Sequence, residues 1–483
     1  MNSCFKRIGA ALCAAALALS LAACGGTQAA PSTNTAAQPV SITVWNYYTG
    51  DHLECFNTLV EEFNATVGKE QNITVTSESQ GSVNDLETNV LAAAEGKVGA
   101  AALPNIFSAY ADTCYAVDQM GLLADLSGYL TEEEKAAYLD SYLTEGDFDD
   151  NGSIKIFPVA KSTEILCLNE TDWEPFAEAT GASCDDLATM EGLVATAQKY
   201  YEWTDAQTAA PDDGKALFGR DAMANYLLIG AKELGESIFD VQQGRMTVEL
   251  SEQTARKLWD NYYVPFVKGW FAAIGRFRSD DIKTGNILCY VGSSSSATFF
   301  PKQVMTSDTE SHDIRMKALP CPTFADGSSV CVQQGAGMAV TNGSEAEVKA
   351  SVAFLKWMTQ PEQNIRFAVG SGYLPVTHAA NDMEAIEASG LEMTDAVRDI
   401  LTIATDEVEN NELYTTKAFA GGAAARKVLE YDLSDKAAAD RAAVEQRIAA
   451  GESAADAQAE FLTDEAFAAW YQGLLGQLKA YEG

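Results

Sequence analysis

Several signatures of catalysis and of nucleic-acid binding are missing from this 483-residue chain. Histidine occurs only at His52, His312 and His378, so neither an HExxH motif nor a histidine-based zinc set is present. There is also no P-loop and no GxSxG motif. Basic residues are few, because 32 Lys and Arg stand against 69 Asp and Glu, and the formal net charge is −37. Nucleic acids are therefore poor partners. The missing motifs favour binding over catalysis, with no metal and no cofactor expected.

Cysteine is not arranged as a disulfide framework or as a zinc site. Of the ten cysteines, Cys4, Cys13 and Cys24 lie in the N-terminal segment, which leaves an odd number without CxxC spacing. Cys321 and Cys331 flank a turn and would face each other across a hairpin. A bridge between these two stays open, while the other cysteines resemble small buried hydrophobic residues.

The N-terminus has the pattern of a secretory signal with a lipoprotein box. Lys6 and Arg7 precede an apolar stretch over residues 8–23, which is short for a membrane span of about 20 residues and suits a signal peptide. The stretch ends in Leu-Ala-Ala directly before Cys24. We therefore expect residues 1–23 to be a signal peptide and Cys24 to be lipidated. Ordinary signal-peptidase cleavage, with Cys24 incidental, is the alternative.

Residues 24–40 are rich in Gly, Thr, Ala, Ser, Gln and Pro and offer almost nothing for a core. This composition predicts a flexible lipid-anchored linker. An acyl chain would hold the protein at the membrane through its buried methylene groups.

The chain after the linker opens with a pattern typical of a parallel α/β sheet. Residues 42–45 alternate as a strand, apolar residues between 53 and 63 recur at helical spacing, and a second strand follows near residues 73–75. A strand, a helix and a strand in succession begin a parallel sheet. Residues 105–110 are predicted to be a further strand, and the last 70 residues are predicted to be helical. The chain is long enough for two domains of about 100 to 200 residues each.

The segment Gly292, Ser293, Ser294 and the two serines after it is a candidate ligand-binding turn. It follows a predicted strand over residues 287–291. Free amide N–H groups and hydroxyls in such a turn bind sugar hydroxyls or a phosphate. A plain capping and loop role for the serines is the alternative.

Aromatic residues end several predicted strands. Trp45, Tyr47 and Tyr48 end the first strand, Tyr110 ends another, and Tyr373 lies in a Ser-Gly-Tyr-Leu-Pro segment. Residues at the carboxyl ends of strands line the crevice of open α/β sheets, where aromatic faces can stack on a sugar ring. Core packing is the alternative for each of them.

Polar residues interrupt an apolar stretch at Lys161, Ser162, Thr163 and Glu164. Charges between two buried runs need partners, which favours a position in a cleft over one in the core. A solvated turn at a sheet edge is the alternative.

Six segments, in their order and spacing, resemble the family 1 extracellular solute-binding proteins of ABC importers, the group that includes maltose- and glycerol-3-phosphate-binding proteins. The resemblance covers nearly the whole chain after the linker and rests on residues 42–47, 104–110, 157–164, 291–296, 335–338 and 371–376.

The resemblance implies an α/β, two-lobed periplasmic-binding-protein-like fold of type II, with the ligand cleft between the lobes and a helical C-terminal region. The hinge crossings would lie near residues 158–164, 318–322 and 357–361. Lobe one would comprise residues 41–160 plus 320–360, and lobe two residues 161–319 plus 361–483.

The resemblance also implies an extracytoplasmic receptor, lipid-anchored to the cell membrane, that captures a sugar or oligosaccharide by closure of its lobes. The receptor would deliver this carbohydrate to an ABC permease in the membrane. We expect a monomer that is not an enzyme.

Within the family, the pattern is most similar to the glycerol-3-phosphate binders. Their pocket elements map onto Ser162, the turn from Gly292 to Ser294, Gly335 and Tyr373. The chain departs from that subgroup because Val83 replaces a tyrosine and Ala111, beside Asp112, replaces a glutamate.

A segment with Arg220, Asp221 and Asn225 resembles the pocket wall of the family, and Lys161 would add a second positive charge. Glycerol 3-phosphate or another phosphorylated polyol is therefore the alternative ligand.

Two rival functions belong to other classes of protein. A surface glycan hydrolase needs two carboxylates about 5 to 9.5 Å apart, and Asp112 with Glu164 is the candidate pair. A surface adhesin would lack a deep cleft between lobes and would not become more compact with a small ligand.

Overall fold

The structure is a computed structural model that describes residues 38–242, 244–305, 307 and 309–483. The predicted signal peptide, Cys24 and most of the predicted linker lie outside these residues. From Pro39 to Gly483 the chain forms one compact unit. Among the described residues, no helix is both long and apolar enough to span a membrane.

The described residues form mixed α/β structure. The strands are β1 (Val40–Asn46), β2 (Ile73–Ser79), β3 (Ile106–Ala109), β4 (Glu164–Asn169), β5 (Phe218–Arg220), β6 (Phe239–Gln242), β7 (Arg245–Val248), β8 (Cys289–Ser293), β9 (Gln303–Met305), β10 (Ser311–Asp313), β11 (Met316–Pro320), β12 (Val330–Val332), β13 (Gly337–Val340) and β14 (Glu412–Tyr414). The α-helices are α1 (Gly50–Ala65), α2 (Val67–Gln71), α3 (Val83–Ala94), α4 (Ala111–Gln119), α5 (Glu132–Lys135), α6 (Asp140–Thr144), α7 (Glu170–Thr180), α8 (Met190–Asp205), α9 (Met223–Glu233), α10 (Glu252–Val267), α11 (Arg278–Lys283), α12 (Glu345–Met358), α13 (Pro361–Ser371), α14 (Met383–Ala388), α15 (Asp395–Asn410), α16 (Gly422–Ala449), α17 (Ala454–Ala459) and α18 (Asp464–Leu478). Short 3₁₀ helices cover Ser127–Tyr129, Cys184–Leu187, Ser296–Phe299 and Lys479–Tyr481.

The predicted strand, helix and strand at the start of the fold are confirmed. Strands β1 and β2 pair in parallel along their whole length. Helix α1 lies between them in sequence and buries Phe56, Leu59, Val60 and Phe63. These four residues recur three or four apart, so they form one apolar face that packs on the sheet.

Two four-stranded sheets organise the molecule. The first has the order β13-β3-β1-β2 and the second β11-β4-β8-β5, and each combines parallel and antiparallel pairs. The chain leaves the first sheet after Phe157, which pairs with Met338, and enters the second at Glu164, which pairs with Ser293. Two sheets joined in this way give the predicted two-lobed α/β architecture.

Helices pack on both sheets. Helices α1, α12 and α13 contribute buried residues to a core with β1 and β2 that continues onto Ile165, Cys167 and Tyr290 of the second sheet, whereas α8, α9, α10, α16 and α18 pack with β4, β5 and β8. Helix α13 packs directly on α1, and Leu374 and Thr377 after it bridge to Lys161 and Tyr138. The C-terminal region is helical as predicted, apart from β14.

Two sequence patterns predict local structure that the fold does not adopt. The apolar run over residues 154–157 predicts a strand, but only Phe157 makes an isolated bridge. The amide of Ile154 instead donates to the carboxylate of Asp125, at 3.0 Å, which removes it from any strand ladder. Pro265 predicts the end of a helix, but it lies inside α10, which continues to Val267. A proline so near the end costs little, because it affects only the last turn.

The open question of a disulfide is answered for the described residues. All seven cysteines from Cys55 to Cys331 are free. Both candidate partners contact Glu407 instead. The amide of Cys321 donates to its Oε1 at 3.1 Å, and the Cys331 thiol lies 3.6 Å from its backbone oxygen.

Candidate functional site

A cavity of about 410 Å³ lies between α3 and α4, which pack with β3 of the first sheet, and α9 and α16, which pack with the second sheet. One wall comes from the starts of α3 and α4, and the other comes from α9, α16 and the segments before them. The lining residues are Val83, Asn84, Glu87, Tyr110, Ala111, Asp112, Glu145, Ala222, Asn225, Leu228, Ile229, Phe239, Val332, Gln333, Gln334, Tyr414, Thr415, Thr416, Phe419, Gly422, Ala423, Arg426, Lys427, Glu430 and Tyr431. A concave site of this size, with apolar walls and a few polar groups, is typical of small-molecule binding.

Several buried polar atoms of the cavity lining have no hydrogen-bond partner among the described residues. They are Gln333 Nε2, Gln334 Oε1 and Thr416 Oγ1. A buried polar atom without a partner costs about 1 to 3 kcal/mol, so such atoms are rare in folded proteins. A donor and acceptors that line one cavity therefore indicate a polar ligand.

Asp112 supplies an acidic group on the first wall. It lies in the first turn of α4, directly after Tyr110, and within the described chain no hydrogen bond or ion pair reaches its carboxylate. Burial raises the pKa of Asp112 to about 6, an effect that the positive charge of Arg426 opposes. Burial also raises the pKa of Glu87, and a hydrogen bond from Thr113 opposes it.

Arg426 and Glu430 join α16 to α9 within the second wall of the cavity. The guanidinium of Arg426 donates to Asn225 Oδ1, and Glu430 Oε2 accepts the amide of Ala224 at 2.9 Å. Residues 426 and 430 are one helical turn apart, so they act on the same end of α9. This arrangement fixes Arg426 in the cavity wall.

Glu164 and Arg220, both predicted as ligand-binding residues, form a buried ion pair behind this wall. Their side chains are 3% and 4% exposed. Asn225 Nδ2 donates to the other carboxylate oxygen of Glu164 at 2.8 Å. Burial raises the pKa of Glu164, and Arg220 opposes that shift. Neither Glu164 nor Arg220 lines the cavity, whereas Asn225 does.

Lys161 is likewise held in a buried ion pair. Its ammonium donates to Glu145, which lines the cavity, and to the backbone oxygen of Gly335 at 3.0 Å. Ser162 and Gln334 exchange two backbone hydrogen bonds, at 3.0 and 2.9 Å. Gly335 has a φ of +85°, and a Cβ there would lie 2.5 Å from the backbone oxygen of Ala160. The glycine is therefore required by a close backbone approach at the floor of the site.

The predicted tyrosines form an aromatic cluster beside the cavity. The hydroxyls of Tyr47 and Tyr373 lie 3.2 Å apart, and the rings of Tyr48 and Tyr373 lie 6.0 Å apart. Tyr110 is 38% exposed and lines the cavity, within electrostatic reach of both Tyr373 and Arg426. The aromatic cluster, defined as Tyr47, Tyr48 and Tyr373, thus adjoins the cavity through Tyr110.

The other predicted residues have mainly internal contacts. Trp45 is buried, and its Nε1 donates to Glu78 at 2.9 Å. Asp221 accepts the amide of Arg278 at 3.3 Å.

In the serine turn, Gly292 and Ser293 are the last two residues of β8, and the hydroxyl of Ser293 lies 3.0 Å from that of Ser295. The amide of Ser294 donates to the backbone oxygen of Thr163 at 2.8 Å. The turn therefore holds the start of β4.

The sequence predictions missed Glu87, Gln333, Gln334, Thr416 and Arg426. One signal for Arg426 was available, because it and Lys427 lie near the start of α16, after a glycine pair. Cations are unfavourable near a helix N-terminus, so their presence indicates an acidic or ligand partner. The two glutamines follow a buried apolar run directly before Gly335 and carried no comparable signal.

Solved structures of binding proteins share this fold. A cyclic α-maltosyl-1,6-maltose binding protein from Arthrobacter globiformis is 18% identical, with a TM-score of 0.65 over 92% of this chain and 100% of that one. UgpB from Mycobacterium tuberculosis, in complex with glycerophosphocholine, is 19% identical, with a TM-score of 0.64 over 92% and 99%. The GacH receptor of Streptomyces glaucescens, solved unliganded and with acarbose, is 16% identical, with a TM-score of 0.63 over 92% and 100%. Among curated protein sequences, none matches this chain significantly.

The two-lobed α/β fold is periplasmic-binding-protein-like, as predicted. Residues 58–394 match the family described as bacterial extracellular solute-binding protein, so the chain belongs to that family. The predicted resemblance is thereby confirmed. The family consists of binding proteins rather than enzymes, and it places the protein outside the cytoplasm.

Proposed function

We propose that this protein is the lipid-anchored receptor of an ABC importer and that it captures a sugar or oligosaccharide. The lobes close on the solute, and the closed form delivers it to the membrane permease. A ligand that contacts both lobes favours the closed state, because it binds that state more tightly than the open one.

The observation that carries the proposal is the set of unpartnered polar atoms in the cavity wall. Gln333 Nε2 donates, Gln334 Oε1 and Asp112 accept, and Thr416 Oγ1 does both. A neutral polyhydroxylated solute matches this mixture, since every hydroxyl both donates and accepts. Tyr110 adds an aromatic face on which the apolar side of a sugar ring can stack. The printed ligands of the Arthrobacter and Streptomyces proteins support a carbohydrate.

A glycerophosphodiester or a phosphorylated polyol is the second candidate. The Mycobacterium protein was solved with glycerophosphocholine, and Arg426 and Lys427 give this cavity two cations. Charge disfavours that candidate, because Glu87, Asp112, Glu145 and Glu430 line the same cavity. The two cations that the sequence suggested for a phosphate, Lys161 and Arg220, are occupied by buried carboxylates.

We also propose that the ligand-binding residues are those predicted from the sequence that reach the cavity or the aromatic cluster. Tyr110 and Asp112 line the cavity as solute contacts, Asn225 lines it and holds Arg426 in place, and Tyr47, Tyr48 and Tyr373 extend the site. The remaining predicted residues, namely Trp45, Lys161, Ser162, Glu164, Arg220, Asp221, Gly292, Ser293, Ser294 and Gly335, would act by holding these walls in place.

The lobe division proposed from the sequence is kept with one change. Lobe one comprises residues 41–160 plus 320–360, and lobe two residues 161–319 plus 361–483, except that residues 361–378 join lobe one. The packing of α13 on α1 and the hydrogen bond from the His378 amide to Ala137 O, at 3.0 Å, support this change.

A thermal-shift screen tests the function. The folded unit from Pro39 to Gly483 is mixed with maltose, maltotriose, other disaccharides, glycerol 3-phosphate and glycerophosphocholine. A ligand at 100 times its Kd adds about 2.7 kcal/mol of stability. A shift with neutral sugars supports the proposal, and a shift confined to the phosphorylated compounds selects the second candidate. No shift with any of them, or turnover of a glycan, contradicts a sugar receptor.

The lipid anchor is tested on the full chain in a bacterial host. We expect the wild-type protein in the membrane fraction and labelled by palmitate, and the C24S variant unlabelled and released. A labelled C24S variant would contradict lipidation at Cys24. The same preparation, released by C24S, gives the oligomeric state by light scattering, for which we expect a monomer.

A further inference from the structure

Opposite charges line the same cavity without forming an ion pair. Asp112 lies on the wall formed by α4, and Arg426 lies on the wall formed by α16. Among the ion pairs of the described residues none joins the two, although Arg426 acts electrostatically on Asp112. Arg426 uses one N–H group on Asn225, and a guanidinium carries five. An acceptor and several donors are thus left for a molecule between them.

A buried chain of hydrogen bonds fixes the position of Arg426. Arg220 donates to one oxygen of Glu164, and Asn225 Nδ2 donates to the other at 2.8 Å. This bond orients the amide of Asn225, because only its Oδ1 is left to accept from Arg426. Asn225 is fully buried, so water cannot take the place of either hydrogen-bond partner of its amide.

The same chain reaches the segments that connect the two sheets. Glu164 is the first residue of β4, directly after the passage from the first sheet. Arg220 also lies within electrostatic reach of Cys321, which directly follows β11. A displacement of Arg426 would therefore be transmitted to the connections between the lobes.

We infer that Asp112 and Arg426 bind adjacent hydroxyl groups of the solute from opposite lobes, and that Asn225, Glu164 and Arg220 are positioning residues for Arg426. The inference rests on the proposed sugar-receptor function. It adds to that function the contact of Asp112 and Arg426 with one diol, called the diol grip, which would hold the lobes closed. A vicinal diol fits both partners, since one hydroxyl can donate to the carboxylate while its neighbour accepts from the guanidinium. Charge-assisted hydrogen bonds of this kind are about twice as strong as neutral ones.

Binding of the sugar probes tests the grip. The probes are those neutral sugars that shift the wild-type melting temperature, with maltotriose as the first. We expect R426Q and D112N each to weaken binding about tenfold or more. The matched control is R447Q, the same change on the same helix at a residue that pairs with Glu460 at 2.9 Å and does not line the cavity. Binding by R426Q within twofold of R447Q overturns the grip.

A measurement without ligand tests the positioning chain. The pKa of Asp112 is followed by ¹³C NMR of aspartate-labelled protein, with D112N identifying the signal. R426Q removes the opposing positive charge and should raise this pKa. N225A should also raise the pKa of Asp112, because Arg426 loses the partner that fixes its position. If N225A does not fold, N225S takes its place. An unchanged Asp112 pKa in the asparagine variant overturns the chain.

The two measurements separate this inference from the proposed function. If the wild type binds none of the sugars, the receptor proposal and the diol grip both fail, and the NMR titration still decides the positioning chain. If sugars bind and neither R426Q nor N225A differs from R447Q, the receptor proposal stands and this inference fails.

Discussion

At the scale of single residues, the proposed role of Asp112 should make ligand binding depend on pH. Only the ionised carboxylate makes a charge-assisted hydrogen bond to the solute, and burial raises its pKa to about 6. Affinity should therefore be constant above pH 7 and fall as the pH drops below about 6, by up to about tenfold per pH unit. The facing charges are Glu87, Arg426 and Lys427. Isothermal titration at pH 5, 6 and 7.5 checks this, and D112N should bind weakly but without the pH dependence.

Glu233 should make stability depend on pH in the opposite sense to an ordinary surface carboxylate. Burial raises its pKa to about 8, although the amide of Phe324 donates to it at 2.9 Å. The folded state then holds the proton more tightly than the unfolded state, whose glutamate titrates near 4.5. Stability is therefore lost as the pH rises from about 4.5 to about 8.

The variant E233Q removes this loss. We expect it to gain on the order of 2 to 4 kcal/mol relative to wild type between pH 5 and pH 8, measured by urea unfolding at both values. Burial also raises the pKa of Glu407, to about 7, and this shift acts in the same direction. The E233Q variant therefore keeps the part of the pH slope that Glu407 contributes. Equal pH slopes for wild type and E233Q would show that Glu233 is ionised in the folded state.

At the scale of the helix, the start of α16 depends on Gly422, which has no side chain. A Cβ on Gly422 would overlap with the carboxylate of Asp112. A change of Gly to Ala inside a helix normally stabilises it by roughly 0.5 to 1 kcal/mol. In G422A the overlap should instead cost about 1 to 3 kcal/mol and weaken sugar binding, because Asp112 or the helix must shift.

The control for this change is G473A in α18. Nothing lies within 4 Å of a Cβ at that position, so the ordinary helix effect should appear as a small stabilisation. Thermal unfolding of both variants gives the comparison. The same sign for G422A and G473A would mean that α16 does not meet Asp112 as described.

At the scale of the whole molecule, closure should be visible in solution. The cavity takes its walls from helices that pack on the first sheet and from helices that pack on the second, so a solute between them holds the lobes together. We expect the radius of gyration from small-angle X-ray scattering to fall when a binding sugar is added, and to stay constant with a sugar that gives no thermal shift. An unchanged radius with a tightly bound sugar would contradict capture by closure.

The local structure of this protein follows from its sequence. The alternation in β1, the spacing of Phe56, Leu59, Val60 and Phe63 in α1, and the capping box of Ser344 with Glu347 before α12 all predict what the structure shows. These signals are short-range, because strand and helix periodicity and helix caps involve residues a few positions apart. The two-lobed binding protein itself was implied by the resemblance of six sequence segments to the solute-binding family.

The site was decided by tertiary structure. Asp112 and Arg426 are more than 300 positions apart, and the orphaned atoms of Gln333 and Thr416 stand out only once their neighbours are known. From the sequence, Lys161 and Arg220 were candidate cations for an anionic ligand. In the fold, each of them forms an ion pair with a buried carboxylate. A charge has no fixed role until its partner is known, and partners are chosen by the packing of distant elements. The sequence by itself therefore determined the elements and the class of protein, while only the fold decided which charges remain free to meet a solute.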